Sequence, residues 1–260
     1  MTPSKTFGLT LVALLLTTGC DEHFDTGPMR TEQREVGSFD CIDVDGDVEM
    51  QVTVGSPASL AIKGRDSAIR RISTEVRDKT LYVEIKRKDW MMGGPNRVEM
   101  RISVPQLKSL KLDGGNEVRL AGFTGGESDI TMKGAGHVEA AGSLDELTLS
   151  LAGAGHADFS KLVAHDAKVT VDGVGSVLVN SQDSLDATMN GVGAILYSGN
   201  PHKVNTSVNG LGSISQMNSR HAKRHKWNRH RRVDPDSLQP EYDDKAREEA
   251  ADRTEVTVTT

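Results

Sequence analysis

Aromatic residues are scarce: Phe, Trp and Tyr make up 4% of the 260 residues. Such a chain has few large side chains to fill a deep globular core, so a thin, repetitive core is expected. Cysteine is almost absent, with Cys20 and Cys41 the only two, which excludes a disulfide framework once Cys20 is committed elsewhere. Beyond the N-terminus no apolar run is long enough to cross a bilayer as a helix. What the chain does have is glycine, 26 residues of it, and the glycines are spaced regularly.

The first residues form a separate object. Lys5 supplies a small positive region, "FGLTLVALLL" (7–16) is an apolar stretch too short to span a bilayer, and "TTGC" ends at Cys20. This arrangement resembles a bacterial lipoprotein signal, which implies cleavage before Cys20 and its acylation. Thr17 stands where that pattern prefers leucine, and an ordinary secretory signal is the alternative reading. Asp21 after the cysteine resembles an inner-membrane retention signal, with the outer membrane as the other destination. The expected boundaries are a signal peptide at 1–19, a polar tether at 20–34, a β domain at 35–216 and a charged tail at 217–260. Loss of Lys5 would move the net charge from −6 to −7. Cys41, in "SFDCIDV" with no cation beside it, reads as a small core residue rather than a reactive thiol.

Gly-x-Gly recurs at Gly134 and Gly136, Gly153 and Gly155, Gly173 and Gly175, Gly191 and Gly193, and Gly210 and Gly212. The interval from one pair to the next is nearly constant. One step earlier, Gly114 and Gly115 precede Asn116, the residue that best tolerates a left-handed backbone in place of glycine. Two residues before the first glycine stand Leu112, Met132, Leu151, Val171, Met189 and Val208. Four after it stand Val118, Val138, Ala157, Val177, Ile195 and Ile214. Apolar residues alternate with polar or small ones on both sides of each glycine pair, which is the pattern of strands with one buried face. A strand-bearing repeat of this short, fixed period means a solenoid. The expected fold is all-β, a parallel β-helix of about 19 residues per coil, with glycine corners that permit unusual backbone angles and close approach between coils. A phosphate-binding reading of the glycines fails, because a strand and not a helix follows each one.

"FDCIDVDGDVEMQV", "LYVEI", "VEMRISVPQLKSLKLDGGNEV", "GAGHVEAAG", "GAGHADFS" and "GVGSVLV" together resemble the putative auto-transporter adhesin head GIN domain family, over roughly residues 35–216. The resemblance implies a β-helical protein of the cell envelope.

After Gln216 the pattern stops. Residues 218–232 carry seven Lys/Arg and three His, and from Val233 nine Asp/Glu follow against three basic residues. The basic run reads as a solvated tail or a cap on the last coil. Contact with anionic lipid is a second reading. Nucleic acid is set aside, given the export signal and the neighbouring acids.

Acid–base hydrolysis needs two carboxylates facing one cleft. The column just before the first glycine (Asp113, Lys133, Ala152, Asp172, Asn190, Asn209) holds no adjacent pair, and neither does the column three after it (Glu117, His137, His156, Ser176, Ala194, Ser213). Trp90, in a loop, is the one aromatic that looks placed to stack on a sugar. Glu117, His137 and His156 would form one outward stack, a metal-site candidate by ligand type, although ladder spacing exceeds the separation of ligands around one ion. No catalytic residue and no cofactor is expected. The resulting expectation is a non-enzymatic envelope lipoprotein, held to the membrane by its lipid anchor and facing the periplasm. It would act as an adhesin-like or scaffold domain toward an unidentified protein or polysaccharide. The alternatives are a carbohydrate-active enzyme on the same fold and an envelope signalling or stress component.

Overall fold

The computed structural model describes residues 27–85 and 98–217. The signal segment with Cys20, the loop with Trp90 and the charged tail lie outside them. The described residues form a β-solenoid with one short helical turn.

The regular part runs from residue 109 onward. Its coils are built from β8 (Ser109–Asp113), β9 (Gly115–Thr124), β10 (Glu127–Met132), β11 (Ala135–Leu151), β12 (Ala154–Val171), β13 (Val174–Met189), β14 (Val192–Ser198), β15 (Lys203–Val208) and β16 (Leu211–Gln216). All pairings among them are parallel. The register sets Gly115 beside Ala135, Ala154, Val174, Val192 and Leu211 in turn, so the sequence repeat becomes the coil. Each turn takes roughly 20 residues. The alternating apolar positions become inward ladders. Leu110, Ile130, Leu149, Val169 and Ala187 form one, and Val118, Val138, Ala157, Val177 and Ile195 another, all buried. Each ladder stacks like on like at about 4.8 Å per coil, so a narrow core needs only one aromatic such as Phe159 at a time. A third, shorter inward run holds Phe123, Leu144, Leu162 and Ala164.

The N-terminal third departs from simple stacking. Here β2 (Cys41–Asp45) and β3 (Val48–Val54) form one coil, and β6 (Thr80–Ile85) with β7 (Glu99–Val104) forms another. The earlier coil lies inside the later one: β2 sits between β6 and β8, and β3 between β7 and β9. Outside them the direction reverses. β4 (Ser59–Arg65) runs antiparallel to β7, β1 (Met29–Arg34) antiparallel to β4, and β5 (Ile72–Arg77) antiparallel to β6. The turn α1 (Asp66–Ile69) packs Ala68 and Ile69 into the same core. This end of the solenoid is closed by hairpin-like strands. Residues 29–34, which read as tether in the sequence, form the outermost strand. Arg34 ties it down, donating from Nη1 to the Ile72 carbonyl at 2.8 Å and to Thr74 Oγ1 at 2.9 Å.

Candidate functional site

The glycine corners set how closely one coil approaches the next. Of the ten Gly-x-Gly glycines expected at corners, only Gly193 has a left-handed φ, at 145°. The expectation of unusual backbone angles is therefore corrected for the others; close approach is what requires glycine there. A Cβ on Gly153, Gly173 or Gly191 would lie 1.8 Å from the carbonyl oxygen of the corresponding glycine one coil below, and one on Gly134 1.9 Å from that of Gly114. The second glycines meet the same wall, with Gly136, Gly155 and Gly175 at 2.0, 2.4 and 1.9 Å. On the last coil Gly210 lies at 2.0 Å and Gly212 at 2.7 Å. Asn116 is likewise not left-handed. It and its neighbour Val48 both bear side chains, so the close approach in that column begins only above Asn116.

The residue between each glycine pair carries no signal of its own in the sequence, yet it forms a ridge. Ala135, Ala154, Val174, Val192 and Leu211 stack in register. Their exposure reaches 58%, 46% and 82% at Val174, Val192 and Leu211. Flanking glycines leave these apolar groups proud of the surface.

On the outward side of the first strand of each coil, Thr131, Ser150, Thr170, Thr188 and Ser207 occupy one register column. This is a hydroxyl ladder with a step of about 4.8 Å. Beside it the Asp172 carboxylate and the Asn190 and Asn209 amides form a hydrogen-bonded ladder. Asn190 Nδ2 donates to Asp172 Oδ1 at 2.6 Å, and Asn209 Nδ2 donates to Asn190 Oδ1 at 3.0 Å.

The structure also brings together carboxylates that lie outside the two columns beside the glycines. Seven residues before each first glycine, Glu127 pairs with Glu146, and Glu146 with Asp166. Ser184 Oγ donates to Asp166 Oδ1. Extending the column reading to this position would have found the ladder. The two columns read in the sequence hold no adjacent acid pair; this third column does. Glu127 and Glu146 border a groove of about 420 Å³, together with Gln106, Lys108, Asp129 and Thr148.

The Glu117, His137 and His156 column is real, since the three are register partners. Its geometry does not suit a metal. The two imidazoles stack face to face, with centroids 5.1 Å apart and planes within 5°, so their lone pairs run side by side instead of converging. His137 Nε2 lies 3.1 Å from Glu139 Oε1, His156 Nδ1 lies 2.5 Å from Ser176 Oγ, and Arg119 Nη2 donates to Glu117 Oε1 at 2.6 Å. Among the described residues no group of three His, Cys, Asp or Glu converges on a metal position.

Among the described residues, electrostatic perturbation falls on paired groups. The contact with His137 holds the Glu139 carboxyl below its usual range. Burial pushes Asp158 up, but hydrogen bonds from the Ser160 hydroxyl and amide outweigh it and leave the carboxyl lowered. Lys108 Nζ, 2.8 Å from Asp40 Oδ2, lowers Asp40 and is itself raised. Cys41 is a free, half-buried thiol, pushed up first by burial and then by the neighbouring Asp40. A raised thiol is a poor nucleophile; the expected core position is corrected, since Cys41 stands on the outward side of β2, alternating with the buried Ile42 and Val44. No helix among the described residues is long and apolar enough to cross a membrane.

Comparison with known proteins gives the same architecture. The crystal structure of a putative adhesin from Bacteroides fragilis is 23% identical, with 74% of this chain and 99% of that one covered and a TM-score of 0.58. A putative lipid binding protein and a putative adhesin, both from Parabacteroides distasonis, are 19% and 15% identical. Each covers 74% of this chain and 98% of its own, with TM-scores of 0.41 and 0.45. No curated protein matches. The model of the family described as putative auto-transporter adhesin, head GIN domain, matches residues 38–201, and the chain belongs to that family.

Proposed function

We propose that this protein is a non-enzymatic, adhesin-like binding domain of the bacterial cell envelope, held to the membrane through an acylated Cys20 and facing the periplasm. Asp21 favours the inner membrane. The observation that carries the reading is the repeated outward face: the column from Thr131 to Ser207 offers one hydroxyl per coil along a straight line. A periodic row of donors and acceptors matches a polymer, whose own groups recur, better than a single small molecule. The adhesin names of the family and of the Bacteroides fragilis structure agree with this reading.

Two experiments test it. Membrane fractionation with intact mass, beside a Cys20→Ser control, should show a Cys20-dependent acyl mass and membrane association; a soluble, unmodified product would remove the anchor. Retention on immobilised envelope polysaccharides should fall when Thr170 and Thr188 are both replaced by Lys; retention unaltered by that change would remove the face.

A carbohydrate-active enzyme is the second reading, and the Glu127–Glu146 pair favours it. Register neighbours stand about 4.8 Å apart, near the carboxylate separation of retaining glycosidases. Release of reducing sugar that is abolished by Glu127→Gln would replace the binding reading with this one.

A further inference from the structure

We infer that two copies of this chain join through the C-terminal ends of their solenoids, making a closed, twofold dimer. The two ends of the fold are unlike. At the N-terminal end β1, β4 and β5 cover the outer coil with antiparallel strands. At the other end β15 pairs only with β13 and β16 only with β14, among the described residues. Among the described residues, no strand pairs with the outer edge of either. Such edges recruit another strand.

The inward side chains of β15 on this last coil are exposed, and Ile214 of β16 is only half-buried. Val204 and Val208 are 41% and 45% exposed, whereas Leu185 and Met189, their counterparts one coil below, are buried. The coil is in effect the half of a core layer that lacks its other half.

A second copy fits this end by symmetry. Rotation by a half-turn about an axis perpendicular to the solenoid sets each edge strand antiparallel to a strand of the other copy, which restores a ladder. With Thr206 opposite its own copy, Val204 faces Val208 of the second copy, and Lys203 faces Asn209. Inward residues then oppose inward residues, as the pleat demands. Within the two edge strands charge raises no obstacle, because Lys203 is the only charged residue from 203 to 216. The closed N-terminal end stops further growth, so the contact is isologous and ends at two copies instead of propagating as a fibre.

The test uses the full chain carrying Cys20→Ser, so that no detergent is needed. Sedimentation over a range of concentrations is combined with amide hydrogen exchange of residues 203–216. The expected result is a monomer–dimer equilibrium in which protection of 203–216 rises with concentration. Val208→Asp and, separately, Thr206→Pro, whose N–H faces the open edge, should each shift the equilibrium to monomer. Both sites are exposed, so the β circular dichroism of each variant should stay unchanged, and Ser184→Thr on an inner coil should leave the dimer intact. A monomer at every concentration would overturn the inference. So would a dimer indifferent to both substitutions, or protection independent of concentration, which would mean that the chain covers its own end.

Discussion

Replacing Gly173 tests why the corners are glycine. A Cβ there would stand 1.8 Å from Gly153 O, 2.8 Å from its carbonyl carbon and 2.9 Å from its nitrogen. These are backbone atoms, so no rotamer change relieves the clash; the coils must separate locally by about 1.7 Å, the shortfall from an ordinary contact at about 3.5 Å. Two ladder hydrogen bonds lie at this corner, Val174 N to Gly153 O and Val192 N to Gly173 O, each 2.9 Å. Losing them costs about 1 kcal/mol each, and overpacking adds about 1–3 kcal/mol. Gly173→Ala should therefore destabilise by about 3–5 kcal/mol, seen as a fall of roughly 6–20 °C in the melting temperature of a domain this size. Gly37→Ala, with nothing within 4 Å of the added Cβ, is the control and should move it little. The decisive comparison is Gly173→Asn. If the corner needed left-handed angles, Asn would be better tolerated than Ala. With close approach as the cause, Asn must be at least as damaging. An Asn variant that melts well above the Ala variant would refute the reasoning.

Other expectations follow from the core and the charged pairs. Phe159→Ala, at a fully buried ladder position, should cost about 3–5 kcal/mol by urea denaturation; a loss under about 1 kcal/mol would show that the neighbouring ladder residues collapse into the space. Asp40 is held low by Lys108, so its stabilising effect is present at neutral pH and is lost as pH falls through its folded value, below the ordinary range near 4. Lys108 is held high, so its effect is lost only as alkaline pH rises through that value. Asp40→Asn should flatten the acid limb of a stability–pH profile, and an unaltered limb would assign the acid sensitivity elsewhere. Zinc should not raise the melting temperature, because the His137 and His156 rings are stacked in parallel; a zinc-dependent rise abolished by His156→Ala would overturn that geometry.

The repeat from residue 109 to 216 was legible because its signal is local. An inward Leu or Val at every second position and a glycine pair once per coil state the strand, the corner and the stacking partner together. The reason for the glycines was only half legible. Gly173 and Gly193 look alike in sequence and stand equally close to the coil below, an added Cβ meeting a carbonyl oxygen at 1.8 Å in both; only the left-handed backbone of Gly193 separates them. The acid ladder was hidden by which columns were compared, not by any lack of signal: Glu127, Glu146 and Asp166 are one repeat apart. The N-terminal closure was not legible. "SLAIKGR" and "ISTEVR" alternate like any half-buried strand, and alternation does not say whether a strand will pair parallel or antiparallel. Nor does it reveal that β2 will lie between β6 and β8, since Cys41 finds its partners as far along the chain as Thr80 and Ser109.

The interleaved position of the coil at residues 41–54 dictates an order of events for a chain that emerges N-terminus first. Val48 cannot complete its pairings until Asn116 has appeared, and Cys41 waits for Thr80 on one side and Ser109 on the other. Loops of that length close slowly and leave the early strands unpaired in the meantime. From Glu127 onward each new stretch docks on the one just finished, a single coil behind. Nearly half the chain must therefore emerge before the first stable nucleus can form, and growth thereafter proceeds one layer at a time. The same asymmetry governs how length can change during descent. A duplicated or deleted layer between residues 127 and 198 alters the rod by one step and leaves both ends as they were, whereas any change before residue 124 must preserve the interleaving or lose the foundation on which every later layer rests.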